Sequence, residues 1–174
     1  MESDIIGAGN RWLSPDEYSF VRARVPILCV DVLLSPRGRP ETIGLIRRPT
    51  YGGEKGWCLV GGRVLRNEHL GAAVERHVAA TLGDDVRVDL STLAMRTIAE
   101  YFTEPSVGDF FDPRKHAVAL TYTASCDGVP HPRGEALGFR WFEIGDLRDV
   151  DFGFGQGDVV NRVLAGLGPE GDQR

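Results

Sequence analysis

From Pro26 to Ser35 the chain reads PILCVDVLLS, a nearly continuous apolar run rich in β-branched residues. That is the pattern of a strand buried on both faces. Asp31 interrupts it, and a charge inside such a run sits either at the strand's open end or in a pair, because burying it alone is costly. Before it, LSPDEYSFVRARV opens with Ser14 as an N-cap and Pro15 at the first helical position, which predicts a short helix. After it, SPRGRP is a turn and ETIGLIRRP a second strand, able to return antiparallel as a hairpin. TYGGEKG is a glycine-rich loop, and WCLVGGRV a third short strand that ends in a glycine pair.

A helix follows, from about Glu68 to Leu82, with Asn67 as N-cap and Gly83 as its stop. Leu70, Val74, Val78 and Leu82 recur at helical spacing and mark its buried side. Further on come VRVDLSTLAMRTIAEYF, the acidic loop TEPSVGDFFDP, the strand HAVALTYTASC, the loop DGVPHPRGEAL and the strand GFRWFEI. GDLRDVDFGFGQGDVVNRVLAGL reads as a broken helical end. Strands on both sides of a central helix, with a second helix at the end, predict a mixed sheet between helices.

Composition narrows the class. The 174 residues suit one domain, 1–174, with flexible tails at about 1–10 and 167–174. A hydrophobic share of 42% and a charged share of 26% are ordinary for a soluble globular protein. The net charge of −5 argues against a general nucleic-acid binder, yet a few arginines in one cleft can still hold a diphosphate. No segment approaches the ~20 apolar residues that span a bilayer, so no membrane partner is expected. Cys29, Cys58 and Cys126 form no CxxC pair; Cys29 and Cys58 read as small core residues. With no signal-peptide pattern at the start, the expected location is cytoplasmic.

The order of strand, hairpin, W-x-x-x-G-G, helix, further strands and terminal helix resembles a Nudix hydrolase, whose signature is G-x5-E-x7-R-E-U-x-E-E-x-G-U. Gly62 falls on its first glycine, Glu68 on its first glutamate, Arg76 on its arginine and Gly83 on its closing glycine. His77, Ala80 and Thr81 stand where the family has acidic residues. The resemblance implies a Nudix-type α/β/α sandwich with a mixed central sheet. GGRV from Gly61 and AAVER from Ala72 are similar to the GDP-mannose mannosyl hydrolase branch, which cleaves the sugar C–O bond of a nucleoside diphosphate sugar.

That resemblance implies magnesium, with manganese as substitute, held by Glu75, by a carbonyl of Gly61 or Gly62, and by Glu135. It implies substrate contacts at Asp31, Arg48 and Arg63, and dimers are common in that branch; Tyr101 is a further candidate for a base or sugar pocket, or a core residue. Two positions depart from the branch. Ala136 falls on its general base, and Val60 replaces the proline before the glycines. A substitute base would come from His131, His116, or the loop carrying Glu104, Asp109 and Asp112. Phe110 and Phe111 could line a base or sugar pocket, or belong to the core.

Read without the resemblance, Glu75 is a solvated helix residue, Glu135 a loop residue, and Arg48 and Arg63 surface arginines. Three functions therefore stand side by side. One is a magnesium-dependent hydrolase of a nucleoside diphosphate derivative, foremost a nucleotide sugar. The second is an inactive nucleotide-binding or regulatory module. The third is a scaffold used only for protein association.

Overall fold

The computed structural model describes residues 12–167. Of the expected tails, 1–10 and 167–174, all but Leu167 lies outside the described residues. Helix α1 spans Pro15–Arg22 and begins with a full capping box, in which Ser14 and Glu17 each accept from the other's backbone N–H.

Strand β1 (Ile27–Pro36) is the centre of the sheet. Along its whole length it pairs in parallel with β8 (Ala117–Asp127). Its other edge is shared. Strand β2 (Thr42–Pro49) takes it antiparallel at Leu34, while β4 (Val60–Arg63) takes it antiparallel over Cys29–Val32. Strand β3 (Lys55–Cys58) pairs with β2, as does β9 (Gly138–Glu143). The predicted third strand is therefore two strands, broken at Leu59, each serving a different neighbour. Strands β5 (Arg87–Val88), β6 (Ala94–Phe102) and β7 (Phe110–Phe111) complete a nine-stranded mixed sheet on the β8 side.

Period-two alternation along β1 assigns its residues to two layers. Val30, Val32 and Leu34 pack with Ala73, Val74, Val78 and Leu82 of helix α2 (Leu70–Leu82). On the opposite face Leu33 packs with Val160 and Val163 of helix α3 (Gln156–Ala165), and Cys29 with Val159. The result is the expected α/β/α sandwich. Helix α2 starts later than its sequence predicts: His69 is the N-cap, without a side-chain cap bond, and Asn67 sits in a turn at φ 59°. Gly83 closes it as expected, at φ 94°. Among the described residues no helix is long and apolar enough to cross a membrane.

Candidate functional site

A cleft of about 90 Å³ opens where β1 exchanges β2 for β4, on the face that α3 covers. Asp31 points into it from β1 and is 9% exposed. The sequence reading left it either at an open end or paired, and the structure gives neither. Asp31 lies mid-strand and forms no ion pair within 4 Å among the described residues. Burial pushes its carboxyl up to about 6, against the opposing pull of Lys115 and Arg48.

The glycine pair explains how a carboxylate fits there. Gly61 and Gly62 lie inside β4, opposite Asp31 and Val30, and not in a turn. A Cβ on Gly61 would collide with the Asp31 carboxylate and the Val30 carbonyl. A Cβ on Gly62 would stand 2.5 Å from Cε1 of His77. Close approach, rather than turn geometry, is what these glycines permit.

Three cations share the cleft with Asp31. Arg48, from β2, pairs with Glu135 at 2.6 Å and lies 5.1 Å from the Phe154 ring centroid; its Nε is buried without a partner among the described residues. Arg114 is held by Asp112 through two bonds of 2.9 Å and lies 5.1 Å from both the Tyr51 and the Phe154 rings. Lys115 forms no ion pair within 4 Å among the described residues; its Nζ contacts Cys29 Sγ at 3.8 Å. Phe154 thus sits between two guanidiniums, at φ 59° in the left-handed region, followed by Gly155 at φ 69°. Its loop is pinned to β3 by Trp57 N–H donating to Asp151 O at 2.8 Å and Gly153 N–H to Trp57 O at 2.9 Å. Gln156 completes the wall, its Oε1 accepting from Leu59 N–H at 2.8 Å.

The sequence signal for Arg114, Lys115 and Phe154 was slight. PRKH reads as the end of a loop, and FGFGQG as helix punctuation. The hint in the second was an aromatic residue between two glycines.

Of the residues singled out in the sequence, the fold brings Asp31, Arg48, Tyr101, Gly61 and Gly62 to this cleft. Tyr101 is buried, which raises its hydroxyl and keeps it neutral. Arg63 goes elsewhere. Its guanidinium lies over the Trp12 and Tyr18 rings, 4.8 and 4.3 Å from their centroids, beside α1. Ala136 is buried in the core under α2. His131 packs against Gly83 at the end of α2, with Nε2 3.5 Å from Asp85, and His116 stacks on Phe102; neither lines the cleft. In the acidic loop, Asp112 is committed to Arg114 and Asp109 to Arg162, while Glu104 does not line the cleft. Phe110 is core beside Tyr101, and Phe111 lines a neighbouring hollow. All three cysteines are free and buried, and burial raises Cys58 to about 12 and Cys126 to about 11.

The helix of the box is built differently. Glu68 accepts from Arg76 at 2.6 and 2.8 Å and from Leu65 N–H at 2.8 Å, and its side chain is 4% exposed. Led by the Arg76 hydrogen bonds, this holds its carboxyl down to about 2. The His77 ring lies on Gly62 with Nε2 3.0 Å from the Arg63 carbonyl; burial lowers its pKa. Magnesium needs oxygen donors in near-octahedral array, usually one or two carboxylates. Here Glu68 is locked, Glu135 is taken by Arg48, and Glu75 stands exposed on α2. No three His, Cys, Asp or Glu side chains converge among the described residues. As placed, the implied donor set does not fit a magnesium ion.

Residues 8–169 match the model of a family described as "Domain of unknown function (DUF4916)". No curated protein matches the chain in sequence. Among solved structures, the possible asymmetric diadenosine tetraphosphate hydrolase from Jonesia denitrificans is 28% identical at a TM-score of 0.71, covering 86% of this chain and 99% of that one. The NUDIX domain of Shewanella oneidensis NrtR, complexed with ADP ribose, is 18% identical at 0.62, covering 89% and 99%. The MutT NUDIX hydrolase from Burkholderia pseudomallei is 20% identical at 0.60, covering 80% and 97%. The fold is that of the Nudix hydrolases.

Proposed function

The chain belongs to the DUF4916 family, and we propose that its cleft binds and hydrolyses a nucleoside diphosphate derivative, a nucleotide sugar in the first instance, with Asp31 handling the proton. One observation carries this reading. A buried carboxylate without an ion-pair partner is a cost to stability, and it stands among Arg48, Arg114 and Lys115, cations suited to a diphosphate. The cleft is too small for a whole nucleotide. The adjoining hollow of about 470 Å³, which shares Phe154 and is walled by Tyr51, Phe111 and Phe152, has room for the nucleoside or sugar.

In the hydrolysis, water's oxygen bonds to the anomeric carbon and the C–O electrons leave with the diphosphate. The water proton passes to the Asp31 carboxylate, while the three cations meet the charge on the leaving group. The likeness of GGRV and AAVER to the mannosyl hydrolase branch favours this route over attack at phosphorus.

The test is product formation from a panel of nucleoside diphosphate sugars, resolved by anion exchange, with Asp31→Asn alongside. The expected product is free nucleoside diphosphate, and the variant should lose about 10²–10⁴ in rate while still binding. The rate should rise as pH rises through about 6, where Asp31 loses its proton. Nucleoside monophosphate as product would move the cleavage to the P–O bond. A second reading, a binding module, is favoured by the loss of box acids at His77, Ala80 and Thr81. It would take over if the wild-type protein bound a nucleotide sugar without turning it over.

A further inference from the structure

We propose that this cleft holds a diphosphate without a divalent ion, on Arg48, Arg114 and Lys115, and that Glu135 is the counter-ion the diphosphate displaces. The inference rests on the nucleoside diphosphate reading above and concerns how that ligand is held.

The carboxylates that would carry a metal do not converge: Glu75 stands exposed on α2, and Glu135 pairs with Arg48. Glu68 is chelated by Arg76, and His77 lies across Gly62, its Nε2 turned to the Arg63 carbonyl. The cations, in contrast, are already aimed. Asp112 fixes Arg114 in a two-bond fork, and the Tyr51 and Phe154 rings support its flat side. The same Phe154 ring supports Arg48, whose buried Nε has no acceptor among the described residues. Held planar groups of this kind lose little freedom when they bind phosphate oxygens in pairs. The third, Lys115, has no carboxylate within 4 Å among the described residues, so an anion entering the cleft gains its charge without breaking a pair.

Glu135 differs from these groups in its setting. Its side chain is 54% exposed, its loop is outside the helices and strands, and among the described residues its carboxylate makes no other bond than the 2.6 Å pair with Arg48. A half-exposed single pair is worth little, so a diphosphate can replace it and Glu135 can turn to water. The strained backbone of Phe154 fits the same account: conformations of this kind persist where a site needs a side chain in one place.

The probe is ADP, titrated calorimetrically once with EDTA and once with magnesium, at constant ionic strength. Affinity in EDTA should lie within about threefold of that in magnesium. Lys115→Met should weaken binding about tenfold or more, the loss of one charged contact. Glu135→Gln should tighten it, because the competitor for Arg48 loses its charge. Loss of a metal ligand would do the opposite. Binding that requires magnesium, or that weakens in Glu135→Gln, overturns the inference and leaves the nucleotide reading standing. Absence of ADP binding in both buffers overturns the nucleotide reading and this inference with it.

Discussion

Two carboxylates on either side of the glycine pair have opposite fates. Glu68, at the foot of α2, accepts hydrogen bonds from Arg76 and from the Leu65 backbone, and its carboxyl is held at about 2. Asp31, in mid-sheet, has no ion pair within 4 Å among the described residues, and burial lifts its carboxyl to about 6. The first is a satisfied group that ties β4 to the helix. The second has no ion-pair partner among the described residues and faces the cleft that holds Arg48, Arg114 and Lys115. Titratable groups pushed apart in this way separate structural roles from chemical ones. The retained part of the box signature, Glu68 and Arg76, is bonded as architecture, while the carboxylate to which we assign the proton chemistry, Asp31, lies across the sheet.

The comparison can be broken most sharply at Gly61. A methyl group there meets the Asp31 carboxylate and the backbone of β1 together, so Gly61→Ala should cost about 3 kcal/mol. Urea unfolding measures it, and an effect near zero would show that Asp31 is not seated on this glycine. Next comes Glu68→Gln. Arg76 is 24% exposed, which keeps the cost below that of a fully buried pair, at about 2 kcal/mol near pH 7. Because the folded pKa of Glu68 is depressed, its contribution is present above pH 4.5 and lost as pH falls through about 2. The melting temperatures of the variant and the parent should converge over that window.

The smallest effect concerns the stability of Asp31→Asn. The folded pKa of Asp31 is raised, so its favourable contribution is complete below 3.8 and disappears as pH climbs through about 6. The variant should therefore be the more stable protein at pH 8, with little difference below pH 4. A variant that is less stable at pH 8 would mean that the charged form is supported, and the contrast with Glu68 would fail.

Much of this molecule was written in local pattern. The apolar run of β1, the spacing of Val74, Val78 and Leu82, and the stop at Gly83 are consequences of which faces must be buried, and they fix the sandwich. Asp31 was legible as an anomaly in an apolar run, whereas the glycine pair read as the end of a strand, and its close approach to Asp31 and His77 emerged only in the fold. The role of each arginine was not legible. Arg48 and Arg63 read alike in sequence, as cations near strand ends. The structure sends one into the cleft and the other onto the Trp12 and Tyr18 rings. Side-chain direction along a strand has a period of two, so a shift of one residue in pairing decides between the two faces.

Lys115 and Arg114 were invisible for a related reason. They enter the site only because β8 pairs in parallel with β1, setting Ala117 at the start of β8 beside Ile27, just before Cys29 and Asp31. Sequence by itself determined which segments are buried, and from that the layers of the fold. Tertiary structure alone decided which charges meet and which remain unmatched, because both depend on groups far apart in the chain.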